Sequence, residues 1–305
     1  MPSAPNREST FKSLSLPVLA MLGAISVAIW WSPLSSTFAL ALHDEQYTHI
    51  LLILPISAAL ILMDWKPPEP HSVRSVVLGS VLLVVAASLS FFIRGRAAEL
   101  FPDERLAVNM LSLVMWWIAA FILCFGLRAS RRALFPLCFL FWLVPFPDFV
   151  LNPVVNLLQR GSAAAAHLLF VAAGVPVEQH GVLVHIPGLT VEVAQECSSI
   201  RSSSMLIVTT MVLAQLLLRS PWRKALIILV AIPLSVAKNG LRIFTIAMLA
   251  TRVDPDFLTG RLHREGGIIF FLTALAVTFV LIWILRRGEE ANHSTRATRA
   301  VSTEI

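Results

Sequence analysis

Apolar runs of about 20 residues alternate along this chain with short clusters of charge and proline, a rhythm that predicts membrane-spanning helices. The runs occupy residues 14–31, 47–63, 75–93, 106–127, 133–147, 198–218, 224–250 and 267–285. The first closes on Trp30-Trp31, an aromatic pair of the kind that anchors a helix at the membrane–water interface. A cleavable signal peptide ending near Ala39-Leu40-Ala41 fits this long run less well. Asp64-Trp65-Lys66 closes the second run, and Pro145 and Pro147 end the short fifth one. Residues 152–173 also have a helical pattern, but Asn152, Asn156, Gln159 and Arg160 make it too polar for a span. It is predicted as an interfacial or re-entrant helix packed against the bundle.

The pattern changes between Val175 and Ser204. Val182, Val184 and Ile186 alternate with Leu183 and His185, and Leu189, Val191 and Val193 alternate with Thr190 and Glu192. With Pro187-Gly188 as a turn between them, this is a β-hairpin. It delivers Cys197 to the start of the sixth span, with Ser198 and Ser199 as N-cap candidates. The predicted fold class is an all-α polytopic membrane protein of about eight transmembrane helices. A small outer β-hairpin and the interfacial or re-entrant helix complete it. Residues 1–13 are read as a cytoplasmic tail, 14–285 as a single integral membrane domain and 286–305 as a disordered cytoplasmic tail.

Composition supports this reading: 57% of the 305 residues are hydrophobic, 14% are charged, and the mean hydropathy is +0.78. Those values exclude an ordinary soluble globular domain. A net charge of +6 would suit a nucleic-acid partner, but the distribution of the cations answers better to the positive-inside rule. With eight spans and both termini cytoplasmic, 14 of the 24 Lys and Arg fall on the cytoplasmic side and 7 on the outer side. Arg201, Lys238 and Arg242 fall within spans. Cys124 and Cys138 sit inside apolar runs, where a cysteine is ordinarily a small buried hydrophobe, and no disulfide framework is apparent.

Candidate chemistry gathers at one depth. A thiol at a helix N-terminus lies in the positive end of the backbone dipole, which favours the thiolate, and Cys197 is so placed. Lys238-Asn239-Gly240-Leu241-Arg242 interrupts an apolar run, and charge inside a bilayer marks a functional candidate. Arg242 lies roughly 27 Å along the helix from Lys224 at the inner face, close to the outer boundary of a core about 30 Å thick. His263 precedes the last span on the same outer side. Singly, each has a plain explanation: a structural cysteine, an arginine snorkelling to lipid phosphate, a solvated histidine. Their common depth points instead to acyl transfer, with His263 as base, Cys197 as nucleophile and Arg242 as the donor to the oxyanion. Arg201, one turn past Cys197, is the rival for the last role. No metal cluster, glycine-rich phosphate loop or Ser-His-Asp set is visible, so no cofactor is implied.

At these residues the sequence resembles the exosortase/archaeosortase family of membrane-embedded sortase counterparts. YTHILLILPISAALILMDW (Tyr47 to Trp65) is similar to the family's early Tyr-Ser-His segment. FPLCFLFWLVPFP (Phe135 to Pro147) is similar to its Phe-Pro span, and GVPVEQHGVLVHIPG (Gly174 to Gly188) to its hairpin. ECSSIRSS (Glu196 to Ser203), NGLRI (Asn239 to Ile243) and LHREGG (Leu262 to Gly267) match the cysteine, arginine and histidine motifs in order. The resemblance runs over about 47–285. It implies a catalytic set of Cys197, Arg242 and His263, with Arg201, Asn239 and Ser198 in support. It also implies cleavage of exported proteins bearing a C-terminal sorting signal, at the outer face of a bacterial inner membrane. Ser199 departs from the family, which most often has glycine after Cys-Ser. Two other classes remain open on residues alone: an anion transporter lined by Lys238, Arg242 and Arg201, or a structural subunit of a polysaccharide-export complex.

Overall fold

The apolar run at 106–127 forms the central part of α5 (Pro102–Arg132), around which the first half of the chain is arranged. In the computed structural model, residues 7–65, 72–96, 98–193, 200–258 and 267–303 are described, and the chain divides into residues 1–151 and 152–305. Within the first unit, α1 (Arg7–Ile29), α2 (Trp31–His43) and α4 (Val73–Gly95) pack against α5. Trp116 Nε1 donates to the Leu22 carbonyl at 3.1 Å and Trp117 Nε1 to Ser26 Oγ at 2.8 Å, which fixes α1 on α5. Buried Ser90 of α4 donates to Asn109 Oδ1 of α5 at 3.3 Å. Polar pairing of this kind holds apolar helices in register where a hydrophobic driving force is absent.

The first span departs from expectation at its aromatic pair. α1 and α2 meet at a 77° bend around Trp30. Trp31 is 64% exposed, as an interfacial anchor should be, but Trp30 is 1% exposed and its ring lies 5.5 Å from that of Trp116. Trp30 therefore belongs to the core. Sequence adjacency hid this, because neighbouring residues on a bent helix face in different directions.

α5 breaks at Gly126 (φ 80°, ψ 168°), next to the predicted end of its span. The returning segment 133–147 is no regular helix of span length. It comprises α6 (Leu134–Phe139), a 3-10 turn (Leu140–Leu143) and an extended stretch at the two prolines. It packs on α3 (Ile50–Met63), whose Ser57 Oγ donates to the Pro136 carbonyl at 2.7 Å. The Asp148 N–H donates to Asp103 Oδ2 at 2.9 Å, so the segment ends beside the first turn of α5. Cys138 is exposed here, against the expectation of burial, whereas Cys124 in α5 is buried.

α7 (Asp148–Ala172) is the helix set aside above as too polar to span. It is a single helix of 25 residues and meets the length and apolarity needed to cross a membrane. Val155, Gln159, Ser162, Ala163, Ala166 and Phe170 form its buried stripe. Asn152, Asn156 and Arg160 are exposed, whereas Gln159 belongs to the buried stripe, so these four polar residues divide between surface and core. Among the described residues, six helices are long and apolar enough to cross a membrane, or seven if the bent α1–α2 pair is one span. That is close to the predicted eight. Residues 134–143 are too short, and α8 (Ile200–Leu217) has only 17 residues from Arg201, just under the length required. The architecture is that of an all-α polytopic membrane protein carrying one small sheet.

That sheet lies in the second unit, in the order β1 (Glu178–His180), β2 (Leu183–Ile186), β3 (Leu189–Glu192), all antiparallel. The hairpin forms as predicted. Ile186 pairs with Leu189 across Pro187 and Gly188, and Gly188 has φ 81°, the positive value that the second position of a Pro-Gly turn requires. β1 is an addition, because Glu178-Gln179-His180 carries no apolar alternation that would announce a strand. Val184, Ile186 and Val193 pack on Ala163, Ala166 and Phe170 of α7 and on Ile243 and Ala247 of α9 (Pro221–Arg252).

The opposite end of α9 is held by α10 (Gly267–Thr303), which continues through Arg286 and Arg287. Glu289 accepts from the backbone N–H of Arg219 at 3.0 Å and of Ser220 at 2.8 Å, and Arg223 donates to the Leu285 carbonyl. The carboxylate thus caps the start of α9.

Candidate functional site

Cys197 and Ser198 lie in 194–199 and His263 in 259–266, both outside the described residues. Arg242, Asn239 and Arg201 are described, and they show how the surrounding helices are placed.

The Lys238–Arg242 stretch stays helical although Gly240 interrupts it, because tertiary contact requires the glycine. A Cβ at 240 would stand 2.5 Å from Ala165 Cβ and 3.0 Å from the backbone of α7. Only a bare Cα lets α7 and α9 approach so closely, the close approach that small residues allow between membrane helices. Asn239 is 1% exposed and Lys238 6%. Arg242, one turn beyond Lys238 on the same face, is half-buried.

These two cations reach different helices. Lys238 Nζ donates to Ser202 Oγ near the start of α8. The Arg242 guanidinium comes within 4.0 Å of where a Cβ on Gly267 would stand, at the first residue of α10. One turn of α9 therefore touches the entry of α8 through one side chain and the entry of α10 through the other. Arg201 is exposed.

The sequence marks Lys238 as a charge within a span and as a lining residue of the transporter alternative, not as part of the peptidase site, and it does not single out Ser202. The i,i+4 spacing of two cations in an apolar run was a signal for Lys238. None existed for Ser202, one of three consecutive serines whose partner becomes apparent only when α8 meets α9. The sheet is fixed to the same region: Gln159 Nε2 of α7 donates to the Val193 carbonyl at 2.9 Å, one residue beyond β3.

Chemically, the stretch offers a planar guanidinium and an ammonium at the entry of two helices, suited to bind a carbonyl oxygen, a carboxylate or a developing oxyanion. Among the described residues, no three His, Cys, Asp or Glu side chains converge as metal ligands.

The family model described as Transmembrane exosortase (Exosortase_EpsH) matches residues 30–280. No curated protein and no solved structure matches the chain.

Proposed function

Since this chain belongs to the transmembrane exosortase family, we propose that it is a cysteine peptidase or transpeptidase that cleaves a C-terminal sorting signal from exported proteins. The observation that carries the reading is the double reach of α9. Lys238 ties it to Ser202, five residues after Cys197, and Arg242 meets Gly267, four residues after His263. One turn of α9 thus touches the helices that follow the candidate nucleophile and base in sequence, which supports the reading.

In this mechanism His263 takes the Cys197 proton and the thiolate adds to the scissile carbonyl. Arg242 donates to the oxyanion as charge develops there. The C–N bond breaks as His263 returns the proton to the leaving amine. The resulting thioester is then opened by water or by an acceptor amine, which regenerates the thiol. The substrate is a protein ending in a short motif such as Pro-Glu-Pro, a transmembrane helix and basic residues. The site faces the outer side of a bacterial inner membrane, with both termini cytoplasmic.

A co-expressed reporter ending in Pro-Glu-Pro, an apolar helix and an arginine cluster tests the reading by its shift in mass. The parental protein and a variant with Cys124→Ala and Cys138→Val should both cleave it. Cys197→Ala should abolish cleavage while the protein still accumulates in the membrane. An uncleaved reporter in the parental strain, or cleavage surviving in Cys197→Ala, overturns the reading.

A further inference from the structure

The free edge of β3 carries an inference that the mechanism above leaves unused. Successive residues of an antiparallel strand direct their backbone groups alternately toward the partner and away from it. The hairpin closes on Ile186 and Leu189, and the Val193 N–H donates to the Val182 carbonyl at 3.0 Å. Leu189, Val191 and Val193 therefore face β2, and Thr190 and Glu192 present N–H and C=O on the outer edge. Among the described residues, no hydrogen bond engages those outward backbone groups. Both side chains are exposed. The other edge of the sheet is different: β1 presents only Gln179 outward, between Glu178 and His180, whose side chains approach to 3.9 Å.

We infer that β3 is the docking edge for the substrate, which adds its extended segment to the sheet as a fourth strand beside β3. The inference rests on the peptidase reading and specifies how its substrate is held. Three features of this edge support a peptide occupant. Its free groups repeat at every second residue, the spacing at which an extended backbone presents its own. The strand closely precedes the nucleophile in sequence: Glu192 lies five residues before Cys197, a span of at most about 18 Å. The sheet is also packed on Ile243 and Ala247, which follow Arg242 along α9, so a peptide paired there is held in a fixed position relative to the guanidinium. Backbone pairing supplies affinity with little demand on side chains, leaving sequence selection to other contacts.

Proline substitution isolates the edge. At Thr190 or Glu192 proline removes an outward N–H and spares the ladder to β2, a position where edge strands accept it. Thr190→Pro and Glu192→Pro should slow reporter cleavage at least tenfold, whereas Thr190→Val and Glu192→Gln should stay within twofold of the parent. Mixed-disulfide labelling of Cys197 by a small methanethiosulfonate reagent should keep its parental rate in all four, showing an intact thiol site. Parental cleavage in both proline variants, or equal losses in the valine and glutamine variants, overturns the inference and leaves the peptidase reading standing. A second measurement does not depend on turnover. In a Cys197→Ala background, Thr190→Cys should form disulfides with single cysteines at every second position along the reporter's extended segment. A flat or empty profile overturns strand addition, and cleavage persisting in Cys197→Ala overturns the peptidase reading itself.

Discussion

Arg242 and Lys238 share a face of α9 but reach different neighbours, so their replacement should have different consequences. Arg242 offers a planar fork at the start of α10, and an ammonium cannot reproduce two parallel N–H donors. Arg242→Lys should therefore lose about 10²–10³-fold in reporter cleavage, close to the loss from removing an oxyanion donor and nearly matching Arg242→Ala. If lysine restores most of the rate, Arg242 serves only as a charge and Arg201 becomes the oxyanion candidate. Gly240 is a test of packing. Its missing Cβ would stand 2.5 Å from Ala165 Cβ, so Gly240→Ala should destabilise the protein by about 1–3 kcal/mol through overpacking. A lowered thermal midpoint in detergent checks this, and an unchanged midpoint would mean that α7 and α9 separate without cost.

Among the elements, α10 is bound to the α8–α9 turn by one carboxylate. Glu289 accepts two backbone N–H groups that no residue within the turn satisfies. Glu289→Ala leaves both donors without that partner and should cost about 1–3 kcal/mol. Glu289→Gln keeps a single acceptor oxygen and should fall between. Thermal unfolding of the three proteins in the same detergent gives the order, and equal midpoints would show that water replaces the carboxylate freely. The elements also differ in how far the sequence revealed them. β2 and β3 were legible because alternation and a Pro-Gly turn are local properties. β1 was not, since its pairing depends on β2 and not on its own side chains. α7 was visible as a helix, but a count of its polar residues does not reveal that Gln159 is buried against the sheet while Asn152, Asn156 and Arg160 stay exposed.

At the scale of the whole molecule, the excess of Lys and Arg on alternate loops predicts an orientation, and that orientation is testable. Asp256, in the 3-10 turn Pro255–Leu258 after α9, is exposed. In a protein lacking Cys124, Cys138 and Cys197, Asp256→Cys should react with a membrane-impermeant maleimide in intact cells. Labelling only after permeabilisation would reverse the topology and remove the site from the outer face. By itself the sequence determined the polytopic helical class, most spans, and the hairpin with its turn. Each follows from periodicity, chain length and the cost of placing charge in hydrocarbon, which act locally along the chain. Tertiary structure decided the rest. It buried Trp30 and exposed Cys138, made Gly240 obligatory, paired Lys238 with Ser202 and brought Arg242 to the start of α10. Those outcomes depend on which faces of distant helices meet, a matter of close packing among residues tens of positions apart that no local pattern encodes.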